Sequence, residues 1–98
     1  MLIVVPTKEF AGEDSKISTV TEAQTFVFVQ LGEGMQIEEI HEKPSFENEL
    51  FDYIVSPDKS DNLEEAFNLG ARALLARNGM SVEEIVEALM FRELDEIV

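Results

Sequence analysis

The chain has 98 residues, and its 21 Asp and Glu against 7 Lys and Arg give a formal charge of −14 at pH 7. That length accommodates one domain, residues 1–98, with a modest core. The charge argues against partners recognised through a phosphate backbone, where Lys and Arg supply the affinity, and against an anionic membrane surface.

With 45% hydrophobic residues, including seven Phe, the composition is that of a globular chain. No Cys is present, which removes disulfides, thiolate metal ligation and cysteine nucleophiles together. Leu2-Ile3-Val4-Val5 is a continuous apolar run ended by Pro6, the pattern of a strand buried on both faces. It lacks a basic flank and is too short for a signal peptide, so the expected location is the cytoplasm. Residues 7–16 are polar and read as a loop. Thr25-Phe26-Val27-Phe28-Val29 gives a second doubly buried strand within Gln24–Leu31. Gly32-Glu33-Gly34 turns the chain, and Met35–Lys43 returns as a more polar edge strand.

Phe51–Val55 reads as a fourth strand closed by Ser56-Pro57. Asp61 followed by Glu64 has the spacing of a capping box, which predicts a short helix carrying Leu63, Ala66 and Phe67 on its apolar stripe and stopping at Gly70. Ala71–Ala76 is a fifth strand turned by Asn78-Gly79. Ser81 and Glu84 form a second capping box, with Met80 placed to staple onto Ile85. Val82, Ile85, Val86 and Leu89 follow the i, i+3, i+4, i+7 spacing of a buried helical face.

Chemistry-bearing motifs are few. His41 is the only histidine, and its neighbours Glu38, Glu39, Glu42 and Lys43 describe a solvated edge strand better than a ligand set. One imidazole among carboxylates makes a weak transition-metal site. The five glycines stand at turns, so neither a phosphate loop nor a dinucleotide fingerprint is present. The run Leu2–Val5 offers no carboxylate for a two-metal nuclease. These readings predict no catalytic residues, no metal ligands and no cofactor.

Three stretches resemble the dinitrogenase iron–molybdenum cofactor biosynthesis family. They are Ile3-Val4-Val5-Pro6-Thr7; Asp14-Ser15-Lys16-Ile17-Ser18 with Ala23 and Phe26; and Ser81–Leu89 with Glu93-Leu94. The resemblance implies an α/β fold with a ribonuclease-H-like, mixed five-stranded sheet in strand order 3-2-1-4-5 (β-β-β-β-α-β-α here). It also places a ligand site at the Asp-Ser-Lys loop. Candidate binding residues on that basis are Asp14, Ser15, Lys16 and Glu22.

Two departures shape the functional expectation. Where the family continues His-Phe-Gly-Arg-Ala, this chain has Thr19-Val20-Thr21-Glu22-Ala23, with an acid in place of the Arg. The helix that the family carries between strands three and four is also missing, and only Ser45–Leu50 joins them. Seven extended steps reach about 23–25 Å, against roughly 14 Å of lateral crossing plus the return along the sheet, so the link should be nearly taut. The expectation is a non-enzymatic interaction module that has lost the family's ligand residues. It would meet a protein partner or a second copy, as a homodimer, through the sheet face left bare by the missing helix, with Phe46 and Phe51 at the contact. The alternative is a carrier of a small ligand or an iron-containing cluster in cofactor assembly.

Overall fold

The computed structural model describes residues 1–98 as one mixed sheet with a helix on each face. Its elements are β1 (Leu2–Thr7), β2 (Thr25–Leu31), β3 (Ile37–Lys43), β4 (Tyr53–Ser56), α1 (Glu64–Asn68), β5 (Arg72–Leu75), α2 (Val82–Met90) and β6 (Asp95–Ile97). The strand order is β3-β2-β1-β4-β5-β6. β1 pairs antiparallel with β2 and parallel with β4, β2–β3 and β5–β6 are antiparallel, and β4–β5 is parallel. β1 is thus central, as its unbroken apolar run requires.

Successive side chains alternate between faces, and each face has its own core. On one, Ile3, Val5, Val27, Val29 and Val55 lie under Val82, Ile85 and Val86 of α2. On the other, Val4, Phe26, Phe28, Ile54 and Ala73 lie under Ala66 of α1 and Leu63 just before it. α2 starts where the sequence places it. Ser81 Oγ accepts from the Glu84 N–H at 3.2 Å, and the Glu84 carboxylate accepts from the Ser81 N–H at 3.0 Å. In β3 the register shifts where Gln30 gives way to Leu31, because Ile37 pairs with Leu31 while Glu39 pairs with Gln30. This irregularity at Glu38 puts Ile37 and Ile40, three residues apart, against the same core. Gly32 leaves room for it, since a Cβ there would run into the Glu38 side chain.

Several expectations need correction. The sheet has six strands rather than five, because Asp95–Ile97 returns along β5 and seats Ile97 in the α1-side core. The face expected to be bare is filled. β4 starts only at Tyr53, so the link is longer than six residues and slack enough for a turn in which Glu49 N–H donates to Phe46 O. Phe46 (5% exposed) and Phe51 (8%) fold inward and meet Phe26 and Phe28 edge-on, at centroid distances of 5.1–6.3 Å. Two aromatic side chains thereby do the covering that a crossover helix would otherwise do.

At α1 the cap is not Asp61. Leu63 occupies the N-cap without a side-chain hydrogen bond, and Phe67, expected on the buried stripe, is 43% exposed.

Candidate functional site

The carboxyl ends of the parallel strands β1 and β4 lie where the chain changes direction across the sheet: β2 and β3 spread to one side, β4 and β5 to the other. Sites in open α/β sheets form at such points. Beyond β1 the chain loops back rather than crossing directly to β2. Thr7 bridges Ile17, and Lys16 bridges Ser81 just before α2. These bridges tie the 8–16 excursion to both the central strand and the helix N-terminus.

Hydroxyl groups fix the excursion from inside. Thr7 Oγ1 donates to Lys16 O at 2.6 Å. Ser15 is fully buried; its Oγ accepts from Ala11 N–H at 2.7 Å and donates to Gly12 O at 2.8 Å, closing a 3-10 turn over Gly12–Asp14. Val82 N–H donates to Ser15 O at 2.9 Å, so the same residue also supports the start of α2. Ser18 Oγ donates to Thr19 O at 3.0 Å. Each of these hydroxyl protons is committed to a backbone carbonyl.

This framework surrounds a cleft of about 490 Å³ lined by residues from 7–9, 11–22 and the Asn78 turn. Of the four residues singled out in the sequence, Asp14, Lys16 and Glu22 line it together. Ser15 does not; it holds the loop. Lys8, Glu9 and Asn78 join the lining without having been anticipated. Lys8 and Glu9 carried a usable signal, because they directly follow the central strand. Asn78 carried none, since only the Lys16–Ser81 bridge brings its turn near.

Two of the seven basic side chains therefore stand in this cleft with three acids. Lys8 Nζ approaches Glu22 at 3.9 Å, and Glu22 also accepts from Thr19 Oγ1 at 3.2 Å. Lys16, along with Arg77, adds a smaller attraction to the Glu84 carboxyl. That carboxyl is held below its usual range chiefly by hydrogen bonds from the Ser81 N–H and hydroxyl, against a weaker opposing effect of burial.

The far wall is set by Asp61. Its Oδ2 accepts from Val20 N–H at 2.6 Å and Ser56 Oγ at 2.8 Å, and its Oδ1 accepts from Thr21 N–H, Thr21 Oγ1 and Asn62 N–H at 3.4, 3.2 and 2.9 Å. Burial pushes this carboxyl up, but the bonds from Val20, Ser56, Asn62 and Thr21 outweigh it and hold its pKa below the ordinary value. The residue that looked like a helix cap instead clasps the Thr19–Glu22 wall to the end of β4.

The donor set of the cleft is ammonium, carboxylate, hydroxyl and amide. His41 is elsewhere, on the edge strand, stacked on Phe28 at 5.6 Å beneath the opposite face of the sheet. No group of three or more His, Asp or Glu side chains is arranged to hold a metal ion. No helix is long and apolar enough to cross a membrane.

No family model matches the chain, and no curated protein does. Solved structures do. The crystal structure of PH0822 superposes with a TM-score of 0.77 at 16% identity, covering 98% of this chain and 96% of that one. A protein from Methanocaldococcus jannaschii provisionally named a dinitrogenase gives 0.76 at 16% identity, with 99% and 94% covered. The solution structure of a Thermotoga protein provisionally named NifB, of the DUF35 family, gives 0.74 at 17% identity, with 97% and 91% covered. At such identities the likeness is one of fold: this chain shares a small mixed α/β architecture with proteins two of which bear nitrogenase-related names.

Proposed function

We propose that this chain is a non-enzymatic accessory domain, a divergent relative of the iron–molybdenum cofactor biosynthesis proteins, that works by binding a protein partner. The order 3-2-1-4-5 within the sheet supports reading it as a ribonuclease-H-like variant extended by β6. The observation that carries the functional reading is the cleft. Its backbone is pinned by Thr7, Ser15, Ser18 and Asp61, while Lys8, Asp14, Lys16 and Glu22 project as exposed charges. A rigid frame that displays both signs of charge suits recognition. Catalysis by a hydroxyl would need a base to take its proton; the Thr7, Ser15 and Ser18 protons point at carbonyls, and the one cleft hydroxyl on a carboxylate, Thr19 on Glu22, is an exposed contact between residues three apart in the loop.

The second reading, a small-ligand carrier, is favoured by the cleft volume, which lies in the range of small-molecule sites. An iron-containing cluster does not fit these residues. The cleft offers no thiolate or imidazole, and two ammonium groups stand among its oxygen donors. Anaerobic reconstitution with iron and sulfide, followed by absorbance and metal analysis, tests the choice. The interaction reading expects a colourless protein with substoichiometric iron. A stoichiometric cluster lost on His41→Ala would overturn it.

A further inference from the structure

We infer that β3 is a docking edge for an extended, basic segment of another protein, which would add to the sheet as a seventh strand. This rests on reading the chain as an interaction domain but concerns a surface separate from the cleft. β3 is bonded to β2 on one side only, and at seven residues it is the long edge of the sheet, the opposite edge β6 having three. A free strand edge presents a row of backbone donors and acceptors to any extended chain.

Side chains decide which chain. Glu38, Glu39 and Glu42 are exposed along β3, and its one ammonium is turned away: Lys43 pairs with Glu49 and lies 4.9 Å from the Phe28 ring centre. Ile37 and Ile40 remain half-buried at the rim of the α2-side core. Glu42 shares the α2-side face with Ile40, whereas Glu39 lies on the other face with His41 and Lys43. A strand that sets an apolar residue against Ile40 and Lys or Arg against Glu39 and Glu42 would extend that core while placing cations beside the glutamates. A second copy is disfavoured, since antiparallel β3–β3 registers centred on or just beyond Ile40 oppose Glu38 or Glu39 to Glu42. Like charges directly opposite destabilise a ladder. The register centred on His41 would instead oppose Glu39 to Lys43, but Lys43 is already paired with Glu49. With three exposed glutamates and that one committed lysine, the edge favours a basic strand.

The probe is a synthetic peptide of about eight residues, the length of a typical strand, built around Lys-Thr-Val-Lys so that an antiparallel register sets its valine against Ile40 and its lysines against Glu39 and Glu42; it is titrated into the full chain. The readouts are amide exchange and amide chemical shifts. Protection and shift changes should concentrate in residues 38–43. Glu39→Lys with Glu42→Lys should weaken binding about tenfold or more, from two reversed cross-strand charges. Glu65→Lys with Glu93→Lys makes the same change in net charge away from β3 and should weaken it far less. The same peptide N-methylated at alternate residues keeps its charge but cannot form the ladder, and should not protect β3. Equal weakening by both variant pairs, equal binding of the methylated peptide, or changes spread over the whole surface would each reduce the effect to attraction between a polyanion and a polycation, and would overturn the inference. None of these outcomes bears on the cleft, whose wall residues are reported by their own amides in the same spectra.

Discussion

Removing the Asp61 carboxylate should loosen the cleft and the fold together, and the structure sets the size of the effect. In Asp61→Ala the Val20 N–H and the Ser56 hydroxyl lose acceptors at 2.6 and 2.8 Å, and the three bonds to Oδ1 are lost as well. Bonds to a charged group contribute about 1.5–3 kcal/mol each when shielded. Asp61 is only partly buried and the Thr21 donors are exposed, so water replaces much of what is lost. Two shielded bonds discounted in this way give about 2–4 kcal/mol of destabilisation. The assay is denaturant unfolding together with amide exchange at Val20 and Thr21, which should accelerate more than amides in β1.

The pH dependence follows with a definite sign. Asp61 has its pKa lowered on folding, so its contribution is fully present above the unfolded carboxylate value of about 3.9 and fades as pH falls through the lower folded value. The stability gap between wild type and Asp61→Asn should therefore be constant from neutral pH down to about 5 and narrow below about 4. A wild-type unfolding midpoint for Asp61→Ala, with unchanged exchange at Val20, would refute the clasp. A gap that widened on acidification would refute the charge argument.

Ser81→Ala should cost about 0.5–2 kcal/mol, because it removes the hydroxyl that accepts from the Glu84 N–H while leaving the Ser81 N–H to the Glu84 carboxylate; thermal or denaturant unfolding measures it. Phe46→Ala and Phe51→Ala should each cost about 3–5 kcal/mol as core truncations. Leu50→Ala, 82% exposed between them, should stay within about 0.5 kcal/mol. Denaturant midpoints run beside light scattering would show whether the two Phe act in the core or only in association. Nucleic acid should give no gel shift at physiological salt, since the chain sets seven cations against twenty-one anions; sub-micromolar retardation would contradict this.

Local signals carried most of the fold. The doubly apolar runs Leu2–Val5 and Phe26–Val29 marked the centre of the sheet, and Ser81 with Glu84 marked α2, because strand burial and helix capping are decided within a few residues. What escaped was decided over distance. β6 has three residues, two of them acidic, and only its seat against β5 makes it a strand. Asp61 has the right neighbours for a cap, yet the amides of Val20 and Thr21, about forty positions away, compete for the same oxygens and win. Phe46 and Phe51 looked like a sticky surface because nothing in the sequence shows a link folding back on itself. At the site, Asp14, Lys16 and Glu22 were legible from the loop motif. Ser15 was read as a contact when its burial makes it a strut, and Asn78 was invisible until the Lys16–Ser81 bridge joined two loops.

The claim that this domain works by binding through its cleft is tested most directly by isolating its native assembly. Wild type and a variant carrying Asp14→Lys with Lys16→Glu would be compared by mass and metal content. These substitutions reverse two exposed charges while leaving Ser15 and the loop framework in place. The binding account expects a stoichiometric protein partner on the wild type, lost from a variant that unfolds at the same denaturant concentration. A partner retained by the folded variant would contradict it, as would a wild-type chain isolated alone with a stoichiometric metal that the variant fails to hold.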